Sequence, residues 1–225
     1  MVNIWDKVIP LSEQMISRFD KYQSVAIKDE YHIDVKNFSW KNYLWIDDKF
    51  RRAHIEIVDA REEKKIWVMH MCVFPHYNDP SPIFGFDIVC GKSKITGAFH
   101  DFSPVGQSDM FLWYLNNMKN YEWENIRQLP DWALQIFSKQ MLAVSNINTE
   151  KELDQLCHVA IDNLDFYLYN VGSSKDSNTY ISRHNHYCKF QKKNPHTPAM
   201  MKTLGVDETI FKNFMEEVLF PEENE

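Results

Sequence analysis

Glycine is scarce in this chain, with six in 225 residues. Each stands alone, at Gly85, Gly91, Gly97, Gly106, Gly172 and Gly205. Without a glycine-rich run opening a helix there is neither a dinucleotide fingerprint nor a P-loop, and no nucleotide or flavin site of the usual kind is expected. Cysteine is sparse too: Cys72, Cys90, Cys157 and Cys188 are widely spaced and form no CxxC pair, which excludes a zinc ribbon or a disulfide framework and reads as reduced core thiols. No apolar run is long enough to span a bilayer, and the start MVNIWDKVIP lacks the basic end and apolar stretch of a signal peptide. A soluble, cytoplasmic protein without membrane contact is expected. Positive charge is in deficit, 25 basic against 32 acidic residues for a net charge of −7, which argues against a nucleic-acid partner. The basic residues nevertheless cluster, notably at Lys189, Lys192, Lys193 and Lys202, a candidate face for an acidic partner.

What is present is core material: 44% of the residues are hydrophobic and 14% aromatic. There are no repeats, low-complexity tracts or linkers, so one domain over 1–225, monomeric, is expected. A first helix is predicted over Ser12 to Tyr22 with Ser12 as N-cap. From Asn42 to Val105 the apolar period shortens to two or to short runs, punctuated by Asp79-Pro80 and Gly91-Lys92, which predicts an antiparallel meander. Helical periodicity returns over Ser108–Met118, Asp131–Leu142, Thr149–Tyr169, Asp176–Phe190 and Asp207–Leu219. The economical architecture is α+β: a three-layer α/β/α sandwich with a central antiparallel sheet flanked by helices.

The chemistry concentrates in the meander. His54 and Glu56 lie two apart in one strand and therefore share a face. His70 follows on the next strand, and Asp87 lies in a third, between apolar residues. A buried charge without a partner is prohibitive, so these groups must meet one another, a ligand or water. Interleaved as they are, without a ligand-loop signature, they make a poor metal set, and none is assigned. His184 and His186, two apart on a helix, project about 200° apart, which suits packing or surface roles rather than metal binding.

Three runs carry a family resemblance: His70-Met71-Cys72-Val73-Phe74-Pro75, Pro82-Ile83-Phe84-Gly85-Phe86-Asp87-Ile88-Val89 and Asp101-Phe102-Ser103-Pro104. Together with Phe50 to Glu56, Leu129-Pro130-x-Trp132, Ile136-Phe137-Ser138, His186-Tyr187-Cys188, Lys193-Asn194 and Val218-Leu219-Phe220, the chain resembles the ferredoxin-dependent bilin reductases over about residues 40 to 220. The Phe-Arg-x-x-His-x-Glu strand is most similar to the phycocyanobilin-forming branch.

The resemblance implies a pigment site for biliverdin IXα between the sheet and the C-terminal helices, with no bound metal or flavin. Electrons would come singly from reduced ferredoxin, four in all, through pigment radicals. It further implies Asp87 as central proton donor, His70 as its partner, and Glu56 as donor in vinyl reduction. His54, Tyr187, Asn194, His196, Thr197 and Met200 would contact the pigment. The chain departs from the family where Lys-Asn-Asp-Lys-Thr becomes Lys193-Asn194-Pro195-His196-Thr197, and where an arginine becomes Ser145. Retaining Glu56 favours phycocyanobilin as product, and losing the second acid keeps phycoerythrobilin as the alternative. A carrier or pigment-attachment protein could use the same pocket, but it would have no need of buried proton donors.

Overall fold

The computed structural model describes residues 2–224. Its centre is an eight-stranded antiparallel sheet built from β1 (Gln23–Val25), β2 (Ile33–Val35), β3 (Phe38–Ile46), β4 (Phe50–Ala60), β5 (Ile66–Pro75), β6 (Ile83–Cys90), β7 (Ile95–Ser103) and β8 (Leu142–Val144). The order is β1-β3-β4-β5-β6-β7-β8, with β2 also paired to β3, so β3 to β7 form the expected meander. Among the described residues six α-helices flank it: α1 (Trp5–Ser17), α2 (Asp109–Asn117), α3 (Glu150–Asn170), α4 (Ile181–Gln191), α5 (His196–Thr203) and α6 (Glu208–Phe214).

The period of two sorts the strands into two unlike faces. One face carries Ala53, Ile55, Met69, Met71, Val73, Phe84, Phe86, Ile88, Ala98 and Phe102, all buried against α1, α2 and α3. The other carries Trp40, Val58, Val68, Cys72, Phe74 and Ile83, which pack against α4 to α6 and the turn that follows them. Helices thus cover both sides of one sheet, the three-layer α+β sandwich read from the sequence. The charged residues of the meander interior lie on the second side.

Side-chain caps open two of the helices, α3 and α6. Thr149 caps α3 by accepting from the Glu152 amide at 3.3 Å, and Leu153, Leu156, Ala160, Leu164, Tyr167 and Leu168 give it one apolar face. Asp207 caps α6 by accepting from the Thr209 and Ile210 amides at 2.8 and 3.0 Å. α6 then passes into a π-helical turn, Met215–Leu219, rather than running on as an α-helix to Leu219. Two other expectations need correction. Ser12 is not an N-cap: α1 starts at Trp5, and the Ser12 hydroxyl donates back to the Ile9 carbonyl at 2.7 Å inside the helix. Nor is there a helix over Asp131–Leu142, where a single 3₁₀ turn, Ala133–Gln135, is followed by strand β8. Ser138 accounts for that, because its amide and hydroxyl both donate to the buried carboxylate of Asp101 instead of joining a helical ladder. α5 is an element that the sequence pattern did not reveal.

Candidate active site

Strand register places Glu56 opposite His70 across β4 and β5, and His70 opposite Asp87 across β5 and β6. Directly opposed residues in an antiparallel pair share a face, so three residues from three consecutive strands form one lateral row. Asn42 of β3 extends it beyond Glu56. His54, two residues before Glu56, lies on the same face with Cys72 opposite it.

The row is bonded internally. His70 Nδ1 lies 2.6 Å from Asp87 Oδ1, and Trp40 Nε1 donates to Glu56 Oε1 at 2.6 Å. His54 Nε2 donates to Asn42 Oδ1 at 3.1 Å, and Asn42 Nδ2 donates to the Tyr31 carbonyl at 2.6 Å. That leaves His54 Nδ1 buried with no partner among the described residues. Exposure rises along the row: Glu56 is buried, the His70 side chain is 12% exposed, and that of Asp87 is 36% exposed. The cluster therefore reaches solvent through its Asp87 end.

These surroundings set the protonation states. Burial pushes the Glu56 carboxyl up against the opposing pull of His70 and the Trp40 hydrogen bond. For His70, burial opposes the charge, yet the Asp87 carboxylate and Cys72 outweigh it and hold the imidazole well above its ordinary range. His54 goes the other way: burial, then His70 and Arg52, keep it neutral and well below that range. One face thus holds a carboxyl biased towards its acid form, an imidazole biased towards its cation and a neutral imidazole, an arrangement suited to proton transfer.

The C-terminal part of the chain covers the row. The Phe214 ring lies 5.8 Å from His54 and 4.8 Å from Trp40, and the Phe220 ring lies 5.7 Å from His70 and 6.4 Å from Tyr187. Asn185 of α4 secures the tail after Phe220, accepting from the Glu223 amide at 3.0 Å and donating to its carbonyl at 2.8 Å. Arg52, from β4, donates to the Val218 carbonyl.

Of the residues singled out from the sequence, Glu56, His70, Asp87, His54 and Tyr187 come together here. Asn194, His196 and Thr197 instead form the turn that opens α5: Asn194 Oδ1 accepts from the His196 amide at 3.0 Å, and Asn194 Nδ2 donates to Thr197 Oγ1 at 3.3 Å. No hydrogen bond among the described residues ties that turn to the row. Met200, one turn on, packs into the apolar layer under α4 to α6. The sequence reading missed Trp40, Asn42 and Cys72. The period of two carried forward from His70 would have put Cys72 on the same face, whereas Trp40 and Asn42, which share a face of β3, needed the β3–β4 register. His184 is a buried packing residue, its Nδ1 accepting from Arg51 Nε at 3.4 Å, while His186 packs on Phe190. Among the described residues no group of three or more His, Cys, Asp or Glu side chains is placed to hold a metal ion. Two surface clefts, of about 440 and 250 Å³, lie elsewhere and contain no residue of the row.

A family model described as ferredoxin-dependent bilin reductase matches residues 7–221. The chain belongs to this family. It is accordingly an oxidoreductase. The phycocyanobilin:ferredoxin oxidoreductase of Trichodesmium erythraeum is 27% identical to this reductase over 194 residues, which cover 82% of this chain and 77% of the relative. That of Prochlorococcus marinus (strain MIT 9313) is 32% identical over 188 residues, covering 76% of this chain and 66% of the relative. Among solved structures, one titled as PcyX superposes with a TM-score of 0.69 at 27% identity, over 96% of this chain and 99% of that one. Phytochromobilin synthase from tomato, solved in complex with biliverdin, gives a TM-score of 0.67 at 16% identity, over 96% of this chain and 82% of that one, and so supports the fold.

Proposed function

We propose that this reductase reduces biliverdin IXα to a phycobilin with four electrons taken singly from reduced ferredoxin, the pigment lying on the polar row beneath α4 to α6. The observation that carries this reading is the row itself, with Glu56, His70 and Asp87 side by side on three strands and Asp87 bonded to His70 at 2.6 Å. A linear tetrapyrrole gains negative charge with each electron, and a proton must follow to prevent charge accumulating in an apolar site. Asp87, at the more exposed end, delivers the proton to the pigment. His70 shares it across the 2.6 Å hydrogen bond. Glu56, its acid form favoured by burial, is the proton donor for a vinyl group.

Retention of Glu56 and the similarity to phycocyanobilin:ferredoxin oxidoreductases favour phycocyanobilin as the product. His54, Tyr187 and Met200 would line the pigment site, and Asn194, His196 and Thr197 would meet its periphery from the start of α5. No resident metal or flavin is needed, since the donor protein brings the electrons. The deciding experiment is an anaerobic assay with biliverdin IXα and reduced ferredoxin, followed by chromatographic identification of the product. A phycobilin that forms only when all three components are present supports the reading, and unchanged biliverdin overturns it.

A further inference from the structure

The Asp87–His70 pair does not end at the imidazole. His70 Nε2 lies 3.5 Å from Cys72 Sγ, which lies 3.7 Å from the Tyr187 hydroxyl, and Gln191 Nε2 donates to that hydroxyl oxygen at 2.7 Å. An amide nitrogen has only protons to offer, so Tyr187 accepts from Gln191 and its own O–H is directed elsewhere. Within reach is Cys72 Sγ. The phenol remains protonated because burial and the neighbouring Cys72 push it well above its ordinary range.

We propose that Cys72 and Tyr187 are positioning residues for His70. They aim Nδ1–H at Asp87 when the ring is neutral, and they keep Nε2 hydrogen-bonded when it is charged. With neutral His70 the protons run one way: Tyr187 O–H to Cys72 Sγ, Cys72 S–H to His70 Nε2, and His70 Nδ1–H to Asp87. When His70 takes a second proton, Nε2–H donates to the sulfur, which goes on accepting from Tyr187 O–H, and only the weak thiol donor is left without a partner. A thiol both donates and accepts, so one buried side chain serves both charge states. A methyl group there would serve neither. The other groups facing His70 do not compete for Nε2. Asp87 of β6 is bonded to Nδ1, Glu56 of β4 to Trp40 and His54 of β4 to Asn42, while Phe220 offers only its ring.

The inference deepens the reading of Asp87 and His70 as the proton-delivering pair, but it is tested without pigment, so the two can fail separately. Protein labelled with ¹⁵N-histidine reports the tautomer of His70 and its titration by NMR. The parent should show the Nδ1–H form when neutral. Cys72→Ala should lose that preference and weaken proton binding at His70 by about tenfold or more, because the buried imidazolium then has an unpaired N–H. Cys72→Ser, which keeps a donor and an acceptor, should restore both properties, and Tyr187→Phe should shift the tautomer in the direction that Cys72→Ala does. Circular dichroism establishes that each variant is folded. If folded Cys72→Ala keeps the parent's tautomer and titration, or if the serine variant behaves like the alanine one, Cys72 is packing only and the inference is wrong.

Discussion

Asp87 and His70 stand directly opposite each other across β5 and β6, with carboxylate oxygen and ring nitrogen 2.6 Å apart. The pair is thus fixed by sheet register and not by a loop, and Asn at position 87 can occupy the same place without carrying an acid proton. Asp87→Asn should therefore bind biliverdin with near-parental affinity while losing about a hundredfold or more in turnover. Electrons would still arrive, so a pigment radical should accumulate, visible by electron paramagnetic resonance. His70→Gln should slow the reaction and alter the absorption of the bound pigment. Parental product formation by Asp87→Asn would remove the pair from the mechanism.

Glu56 offers a test of regiospecificity. Glu56→Gln preserves an acceptor for Trp40 Nε1 but cannot deliver a proton, so reduction should stop after two electrons and release an intermediate that the parent does not. Chromatography against known bilins identifies it. If the parent's own first two-electron product is instead reduced at the central methine bridge, it will absorb at shorter wavelength because the conjugation is cut. The phycocyanobilin assignment then gives way to phycoerythrobilin.

Of the four lysines read as a candidate face for an acidic partner, two are already engaged. Lys192 pairs with Glu222 at 2.6 Å and with Glu216, and Lys202 pairs with Glu208. Lys189 is exposed without an ion pair among the described residues, and Lys193 lies over the Phe190 ring at 3.5 Å. Replacing Lys189 and Lys193 together by Gln should raise the KM for ferredoxin several-fold while biliverdin affinity stays constant. Turnover by the parent should fall with added salt, because exposed charges are screened over about 8 Å at physiological ionic strength. Turnover that does not respond to salt would point to an apolar docking surface.

Folding stability should fall on mild acidification. Burial lowers His100 to about 4, and burial with the Arg51 charge lowers His184 to about 3. Both stay neutral in the folded protein while the unfolded chain takes up protons below about 6.5, so their stabilising contribution is complete above that pH and is lost as pH falls towards the folded values. His70 and Glu56, both raised, act in the opposite sense. The His184 contribution is isolated by comparing urea unfolding of the parent and His184→Gln at pH 7 and pH 5. The variant's loss should be smaller by roughly 2 kcal/mol. Equal losses would show that His184 does not drive the acid limb.

The sheet was legible in the sequence because period two is a direct consequence of strand geometry, and it located Glu56, His70 and Asp87 on successive strands. Their lateral alignment was not legible, since register is fixed by the lengths of the two hairpin connections, which the strand period does not reveal. The long helix after Thr149 was readable from its cap and its apolar spacing. The segment after Pro130 misled, because a buried carboxylate distant in sequence, Asp101, takes the Ser138 amide that a helix would have used. α5 escaped for the opposite reason, its short run carrying Thr197 and Pro198 at its start and few apolar residues to mark a period.

The row and its cover come from stretches far apart in the chain. Glu56, His70 and Asp87 are brought together by two consecutive hairpins, contacts that can zip up locally, whereas Phe214 and Phe220 lie more than a hundred residues further along the chain, in and just after α6. During folding the polar row can therefore form while still hydrated, its charges satisfied by water. The desolvation that shifts Glu56 and His70 is completed when these distant aromatic side chains dock, so the costly electrostatic step falls to long-range contacts made over a sheet that local hairpins have already built.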